Sequence, residues 1–240
     1  LVHQFKHNNF KRVLFDTEMA ESMADFKQVY YLPELESILD RCHEAHSSES
    51  TQLKADLDLL RHEIGMEMKR QPTLTFNALN MLQAGKFDES CYQATREYLT
   101  ELNGLYAQKF SVANQQREKL VNHFMSTDAR KFNHIKDAYF NESIADIARK
   151  VFEKNKMLRD GDKLIQVIDP IYQMPEPDGF FSFRTHFFAP MKYFAGRYWE
   201  TLWFNISMVW VLTVGLYVLL YYDVLRKIFD LLGELKLKKK

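Results

Sequence analysis

Toward its C-terminal end the chain contains 22 consecutive residues without a charged side chain, Thr201 to Tyr222. An α-helix rises about 1.5 Å per residue, so this run reaches roughly 33 Å and can cross the hydrocarbon core of a bilayer. Glu200 and Asp223 bound it, and no other stretch of the sequence is comparable. The sequence therefore predicts one transmembrane helix at 201–222 in a chain that otherwise has the composition of a soluble helical protein.

Acidic and basic residues balance over the whole chain but are unevenly distributed. Residues 1–202 carry 26 Lys and Arg against 29 Asp and Glu, whereas residues 223–240 carry six basic and three acidic side chains. A mildly acidic body argues against nucleic-acid binding, and a basic tail favours contact with an anionic membrane face. Basic residues accumulate on the cytoplasmic side of a span. We therefore expect a cytoplasmic C-terminus and an extracytoplasmic body.

The opening residues LVHQFKHNN have neither the basic nor the apolar region of a signal peptide. An exported body would need upstream sequence, so we expect this chain to be part of a longer polypeptide. The two cysteines, Cys42 and Cys91, are too few for a disulfide framework. We interpret them as buried apolar side chains, with a disulfide in an oxidising compartment as the alternative.

The body is predicted to be helical because glycine and proline are scarce and strand-like alternation is hard to find. The predicted fold class is all-α: an extracytoplasmic helical bundle over 1–158, one C-terminal transmembrane helix, and a short amphipathic tail helix. We expect Thr17 to cap the first helix and Asp88 or Ser90 to cap the longest. Helices are predicted over 17–31, 33–46, 53–70, 76–82, 88–126, 127–140 and 144–158.

Apolar residues at helical spacing mark the predicted core of the bundle. One helix contributes Leu53, Leu57, Leu60 and Ile64. The longest helix contributes Tyr98, Leu102, Phe110 and Phe124. Within that helix, residues 114–119 are polar throughout, and we interpret them as a docking surface for a partner.

Residues 159–200 are predicted to form a connector between the body and the span. The connector begins with Arg159-Asp160-Gly161-Asp162, which favours a tight turn, and the three prolines of residues 164–179 favour an extended path. Nine aromatic residues follow between Phe180 and Trp199. Aromatic side chains concentrate where a span meets the lipid headgroups. We expect Trp199 and Trp203 at this membrane interface, with ordinary core packing of the aromatic residues as the alternative.

The tail, 223–240, places apolar residues on one helical face beside Arg226 and Lys227. We expect a short amphipathic helix whose two cations lie at the inner membrane interface. Within the span, the small or polar residues are Asn205, Ser207, Thr213 and Gly215. An unpaired amide is costly in lipid, and small residues let helices approach closely. We expect these four to pack against other transmembrane helices; a lone anchor that tolerates them is the alternative.

Candidate chemistry is scarce. His43-Glu44-Ala45-His46 has one residue between the glutamate and the second histidine, whereas the zinc-protease signature needs two. The acidic turn at 159–162 is too short for a calcium loop. The sequence contains no glycine-rich phosphate loop and no nucleophile elbow. We therefore expect no catalytic residue, cofactor or metal site in this chain.

The last quarter of the chain resembles a known family. The residues that carry the likeness are HFFAP at 186–190, TLWFN at 201–205 and YYDVLRK at 221–227. They resemble the C-terminal end of large bacterial ABC transporters in which a nucleotide-binding domain precedes an exporter permease of the subfamily-G type. The likeness covers about 45 residues, and the Walker and signature motifs of the family are absent from this chain.

The resemblance implies an inner-membrane permease segment whose last span is Trp203 to Tyr222. Residues 1–200 would then be an enlarged extracytoplasmic loop with a structural, gating or docking role. Its partners would be the bilayer, other transmembrane helices of the same transporter and a periplasmic protein, and ATP hydrolysis would lie upstream. A tail-anchored adaptor with a cytosolic body is the alternative. A single-span sensor is a weaker one, because 18 residues after the span are too few for an output domain.

Overall fold

The computed structural model describes residues 2–45, 51–175, 179–180 and 185–223. The described chain is mostly helical and divides into two compact units, Leu1–Gln173 and Met174–Lys240. Residues 159–173, assigned above to the connector, belong to the first of these units. The predicted tail helix, with Arg226 and Lys227, lies outside the described residues.

Helices build most of the first unit. They are α1 (Val2–His7), α2 (Phe15–Phe26), α3 (Leu32–Glu44), α4 (Thr51–Arg70), α5 (Glu89–Tyr139) and α6 (Glu142–Arg149). Short 3-10 turns lie at Lys11–Val13, Leu79–Met81 and Pro170–Tyr172. The helix predicted over 76–82 is therefore only a single 3-10 turn within a loop.

The chain runs from α2 into α3 through a π-helical turn, Lys27–Tyr31, without an intervening loop. Pro33 offers a physical reason for this wider turn. Its ring would clash with the carbonyl four residues earlier in a regular α-helix, and a π-turn changes the spacing of the backbone there. The predicted cap at Thr17 is wrong, because α2 begins at Phe15 and the Thr17 hydroxyl donates to the Leu14 carbonyl at 2.8 Å.

Aspartate and asparagine side chains set the starts of the later helices. Asp88 caps α5, as predicted, by accepting a hydrogen bond from the Cys91 backbone N–H at 2.8 Å. Asp128 departs from helical geometry inside α5 and accepts from the Lys131 N–H, so a second helical segment starts there as expected. Asn141 caps α6 in the same way.

The helix predicted over 144–158 is wrong beyond Arg149. Lys150 adopts a left-handed conformation, with φ of 53°, and ends α6. Strands β1 (Met157–Asp160) and β2 (Lys163–Gln166) then form an antiparallel hairpin around a turn that contains Gly161 at φ of 62°. The tight turn was predicted, but the two strands mean that the fold is not strictly all-α.

The main core lies between α2, α3, α4 and the first half of α5. The predicted stripe residues Leu53, Leu57, Leu60 and Ile64 are all buried in it. Tyr98 and Leu102 are buried as predicted, whereas Phe110 and Phe124 are only half-buried. A second, smaller cluster consists of Phe5, Phe15, Ala145, Ala148, Ile171 and Tyr172.

The second unit consists of one hairpin and one long helix within its described part. Strands β3 (Met191–Phe194) and β4 (Arg197–Glu200) pair antiparallel around Ala195-Gly196, whose φ values of 51° and 77° are both positive. Positive φ at both central residues is typical of the tight turns that connect hairpin strands. Helix α7 (Thr201–Tyr221) follows β4 with no residue between them.

Candidate functional site

Helix α7 is the one helix in the described part of the chain that is long and apolar enough to cross a membrane. Its 21 residues correspond to roughly 31 Å. Most of its side chains are not covered by protein: Val209, Leu212 and Leu219 are 63%, 59% and 37% exposed. A core helix of a soluble protein would bury such residues. The exposed apolar surface is therefore compatible with lipid contact.

The four predicted packing residues all lie on α7. Asn205, Ser207 and Thr213 are exposed, and a Cβ atom added at Gly215 would meet no neighbouring atom within 4 Å. Thr213 donates a hydrogen bond from Oγ1 to the Val209 carbonyl at 2.8 Å. Within the described residues, the Asn205 amide and the Ser207 hydroxyl have no partner. Asn205 and Ser207 are therefore the polar groups of α7 that a neighbouring helix would need to satisfy.

The β3–β4 hairpin holds the first turn of α7 through polar and aromatic contacts. The Thr201 hydroxyl donates to the Ala189 carbonyl at 2.7 Å, and the Thr201 N–H donates to the Pro190 carbonyl at 3.3 Å. Phe194 lies next to the hairpin turn, and its ring contacts the Phe204 ring edge-to-face at 5.6 Å. Phe204 is 8% exposed and is the one buried residue of α7.

The two tryptophans expected at the membrane interface lie on either side of this junction. Trp199 is on β4, and its indole N–H donates to the Phe194 carbonyl at 3.1 Å. Trp203 is in the first turn of α7, and the two side chains are 47% and 60% exposed. The hairpin that positions Trp199 was missed in the sequence analysis. The signal was present, since Ala195-Gly196 separates the two strand-like runs MKYF and RYWE.

The first unit contains a cluster of buried charges that the sequence analysis did not identify. Glu67 is fully buried at its centre. Lys27 Nζ lies 2.7 Å from one carboxylate oxygen of Glu67, Tyr106 donates to the other at 2.5 Å, and Arg70 pairs with the same carboxylate. The available signal was the i,i+3 spacing of Glu67 and Arg70 on one helix. Lys27 and Tyr106 come from other helices.

Burial and charge shift the pKa values of this cluster. Burial lowers the pKa of Lys27 to about 8, although the Glu67 carboxylate opposes that shift. Burial alone would raise the pKa of Glu67, but the charges of Lys27 and Arg70 outweigh it and hold the pKa below its usual value. Burial and Glu67 raise the pKa of Tyr98 to about 12. The charged groups of Lys27, Glu67 and Arg70 are all paired within the cluster, so we interpret it as structural.

Further polar contacts attach the β1–β2 hairpin to the helices. Arg159 pairs with the buried Asp56 carboxylate and donates to the Ala55 carbonyl at 3.0 Å. The Leu164 N–H donates to Glu63 at 2.7 Å. These bonds explain why a segment that the prolines suggested to be a linker belongs to the helical unit instead.

The remaining sequence candidates have ordinary structural surroundings. His43 stacks on Tyr92 at 4.2 Å between ring centroids and lies 3.6 Å from Glu89, while His46 lies outside the described residues. No three His, Cys, Asp or Glu side chains in the described ranges are grouped so that they could hold a metal ion. Cys42 and Cys91 are buried and unpaired, as the simpler interpretation predicted.

The polar stretch 114–119 faces α2 in part. Ala113 beside it is buried, and Arg117 pairs with Glu21 of α2 at 2.7 Å.

No protein-family model, curated protein or solved structure matches this chain.

Proposed function

We propose that this chain is the C-terminal part of an ABC exporter permease. In this proposal the first unit is an extracytoplasmic helical domain, and α7 is the final membrane span, packed against other spans of the same transporter. The role of the chain is to pack the last span, to gate the exit or to dock a periplasmic protein, and ATP hydrolysis belongs to an upstream part of the polypeptide. The exporter context rests on the resemblance of residues 183–227 to that family.

One observation carries the membrane part of the proposal: α7 has no charged residue and leaves nearly all of its apolar side chains uncovered. The exposed amide of Asn205 and the exposed hydroxyl of Ser207 support a packed span over a lone anchor. Polar side chains within a span characteristically face other helices. The excess of basic residues after the span supports a cytoplasmic C-terminus and an extracytoplasmic first unit.

The membrane topology can be tested with cysteines introduced on each side of the span. Cys42 and Cys91 are poor reporters because both are buried, and burial raises the pKa of the Cys42 thiol to about 12. Glu118→Cys places a thiol on an exposed position of α5. Lys238→Cys places one in the basic tail. Each variant is treated with a membrane-impermeant maleimide before and after lysis of the cells.

The exporter proposal expects Glu118→Cys to react in intact spheroplasts and Lys238→Cys to react only after lysis. The opposite pattern would contradict it and would identify the tail-anchored adaptor with a cytosolic body. The unmodified chain is the control, and its two buried thiols should not react under native conditions.

A further inference from the structure

We infer that the β3–β4 hairpin lies in the lipid headgroup layer and sets the depth of α7 in the bilayer. The proposed partner of this surface is the phospholipid headgroup, bound through aromatic rings and two cations. The inference rests on the membrane-spanning role proposed for α7, but it does not depend on the exporter context or on the direction of the span.

The first step is that the hairpin cannot move independently of the helix. Strand β4 ends at Glu200 and α7 begins at Thr201, so no flexible residue separates them. Thr201 is bonded through both its hydroxyl and its N–H to the two residues that precede β3. The hairpin and the first helical turn therefore form one rigid piece.

The second step concerns the direction of the hairpin. Phe194 lies at the turn end of β3, yet its ring contacts Phe204 in the first turn of α7. Lys192 Nζ also lies 5.5 Å from the centre of the Phe204 ring. A hairpin that continued straight away from the helix axis could not make these contacts. It folds back to the level of the first helical turn, which is the membrane surface when α7 spans the bilayer.

The third step is the chemistry of the exposed surface. Tyr198, Trp199 and Trp203 are 43%, 47% and 60% exposed. Aromatic residues with a polar group prefer the boundary between headgroups and acyl chains. Lys192 and Arg197 come from the same hairpin and carry charges that match lipid phosphate. Aromatic and cationic side chains at one end of a spanning helix are therefore better accommodated in the headgroup layer than in bulk water.

The three tryptophans of the chain provide the test, because Trp199 and Trp203 lie at this junction and Trp210 lies further along α7. Three variants of the full chain each keep one tryptophan and carry phenylalanine at the other two positions. They are reconstituted in vesicles of phosphatidylcholine and phosphatidylglycerol that contain lipids brominated at defined acyl-chain depths. Quenching of the fluorescence then reports the depth of each ring.

We expect Trp199 to be quenched best by shallow bromines and Trp210 by deep ones, with Trp203 between them. The seven residues from Trp203 to Trp210 predict a depth difference of about 10 Å. The inference is overturned if Trp199 emits as in water and escapes quenching while Trp210 is buried. Quenching of Trp199 at the depth of Trp210 also overturns it.

A second measurement tests the cations. In the Trp199 reporter, Lys192→Gln combined with Arg197→Gln should reduce shallow quenching, and the loss should be greater in vesicles that contain phosphatidylglycerol. The matched control is Lys54→Gln, at an exposed position of α4, which should change nothing. Unchanged quenching in the double variant contradicts the headgroup contact. Reversed thiol labelling would refute the exporter proposal and leave this inference intact, because the depth order is the same in either orientation.

Discussion

Glu67 of α4 connects polar side chains from three helical elements of the first unit. Its fully buried carboxylate contacts Lys27, Arg70 and Tyr106. Removing one member of a buried ion pair leaves its partner charged and unpaired, which costs about 3 to 5 kcal/mol. We expect Glu67→Gln to lower the free energy of unfolding by that amount. Urea unfolding followed by far-ultraviolet circular dichroism measures it, with the exposed Glu101→Gln as the control.

The same carboxylate should make stability depend on pH. Its folded-state pKa is below the ordinary value of 4.5, so its contribution is present above about pH 4.5 and is lost as the pH falls through the folded-state value. We expect the unfolding midpoint of the wild type to drop in this acid range, with a shallower drop in Glu67→Gln. An identical acid dependence in the two proteins would contradict the role assigned to Glu67.

Asn205 and Thr213 are both polar residues of α7, but their surroundings differ. Thr213 is bonded within its own helix, whereas the Asn205 amide has no partner in the described part of the chain. Interhelical hydrogen bonds in membranes contribute about 0.6 to 2 kcal/mol. If α7 packs in a bundle, Asn205→Leu should lower the melting temperature of the assembled protein in detergent and Thr213→Val should not. A lone anchor would be unaffected or stabilised by the leucine.

At the scale of elements, the start of α5 depends on one side chain. Asp88 Oδ1 accepts the Cys91 N–H, and Cys91 and Tyr92 in the following turn are buried in the main core. Replacing such a cap by alanine costs about 1 kcal/mol. Asp88→Ala should lower the unfolding free energy by this amount, as measured by urea denaturation. Asp88→Asn keeps an accepting oxygen and should have a much smaller effect; equal losses in the two variants would argue against capping.

At the scale of the whole molecule, the two compact units differ in whether their apolar side chains are buried or exposed. The first has its own core of buried apolar residues, and the second contains α7, most of whose apolar side chains are exposed. A unit with its own core can fold alone. We expect a fragment of residues 1–173 to be helical and soluble without detergent, and the full chain to remain with membranes after extraction at alkaline pH. A fragment that aggregates without helical structure would contradict this independence.

The sequence by itself determined the features that depend on neighbouring residues. An uncharged run of 22 residues is sufficient to define α7, because length and polarity alone decide whether a helix can span a bilayer. The Asp88 cap and the turn at Gly161 were predictable for the same reason, since each depends on local backbone geometry. The Leu53 to Ile64 stripe was predictable because spacing places its residues on one face.

Only the tertiary structure decided features that depend on residues far apart in the chain. Lys27, Glu67 and Tyr106 lie on three different elements, and no spacing in the sequence indicates that they meet. The same holds for Arg159 and Asp56, whose contact draws the β1–β2 hairpin onto the helices. The contact of Phe194 with Phe204 folds the β3–β4 hairpin back onto α7. Burial of charge and packing of rings are collective effects, so the fold must form before these residues acquire their roles.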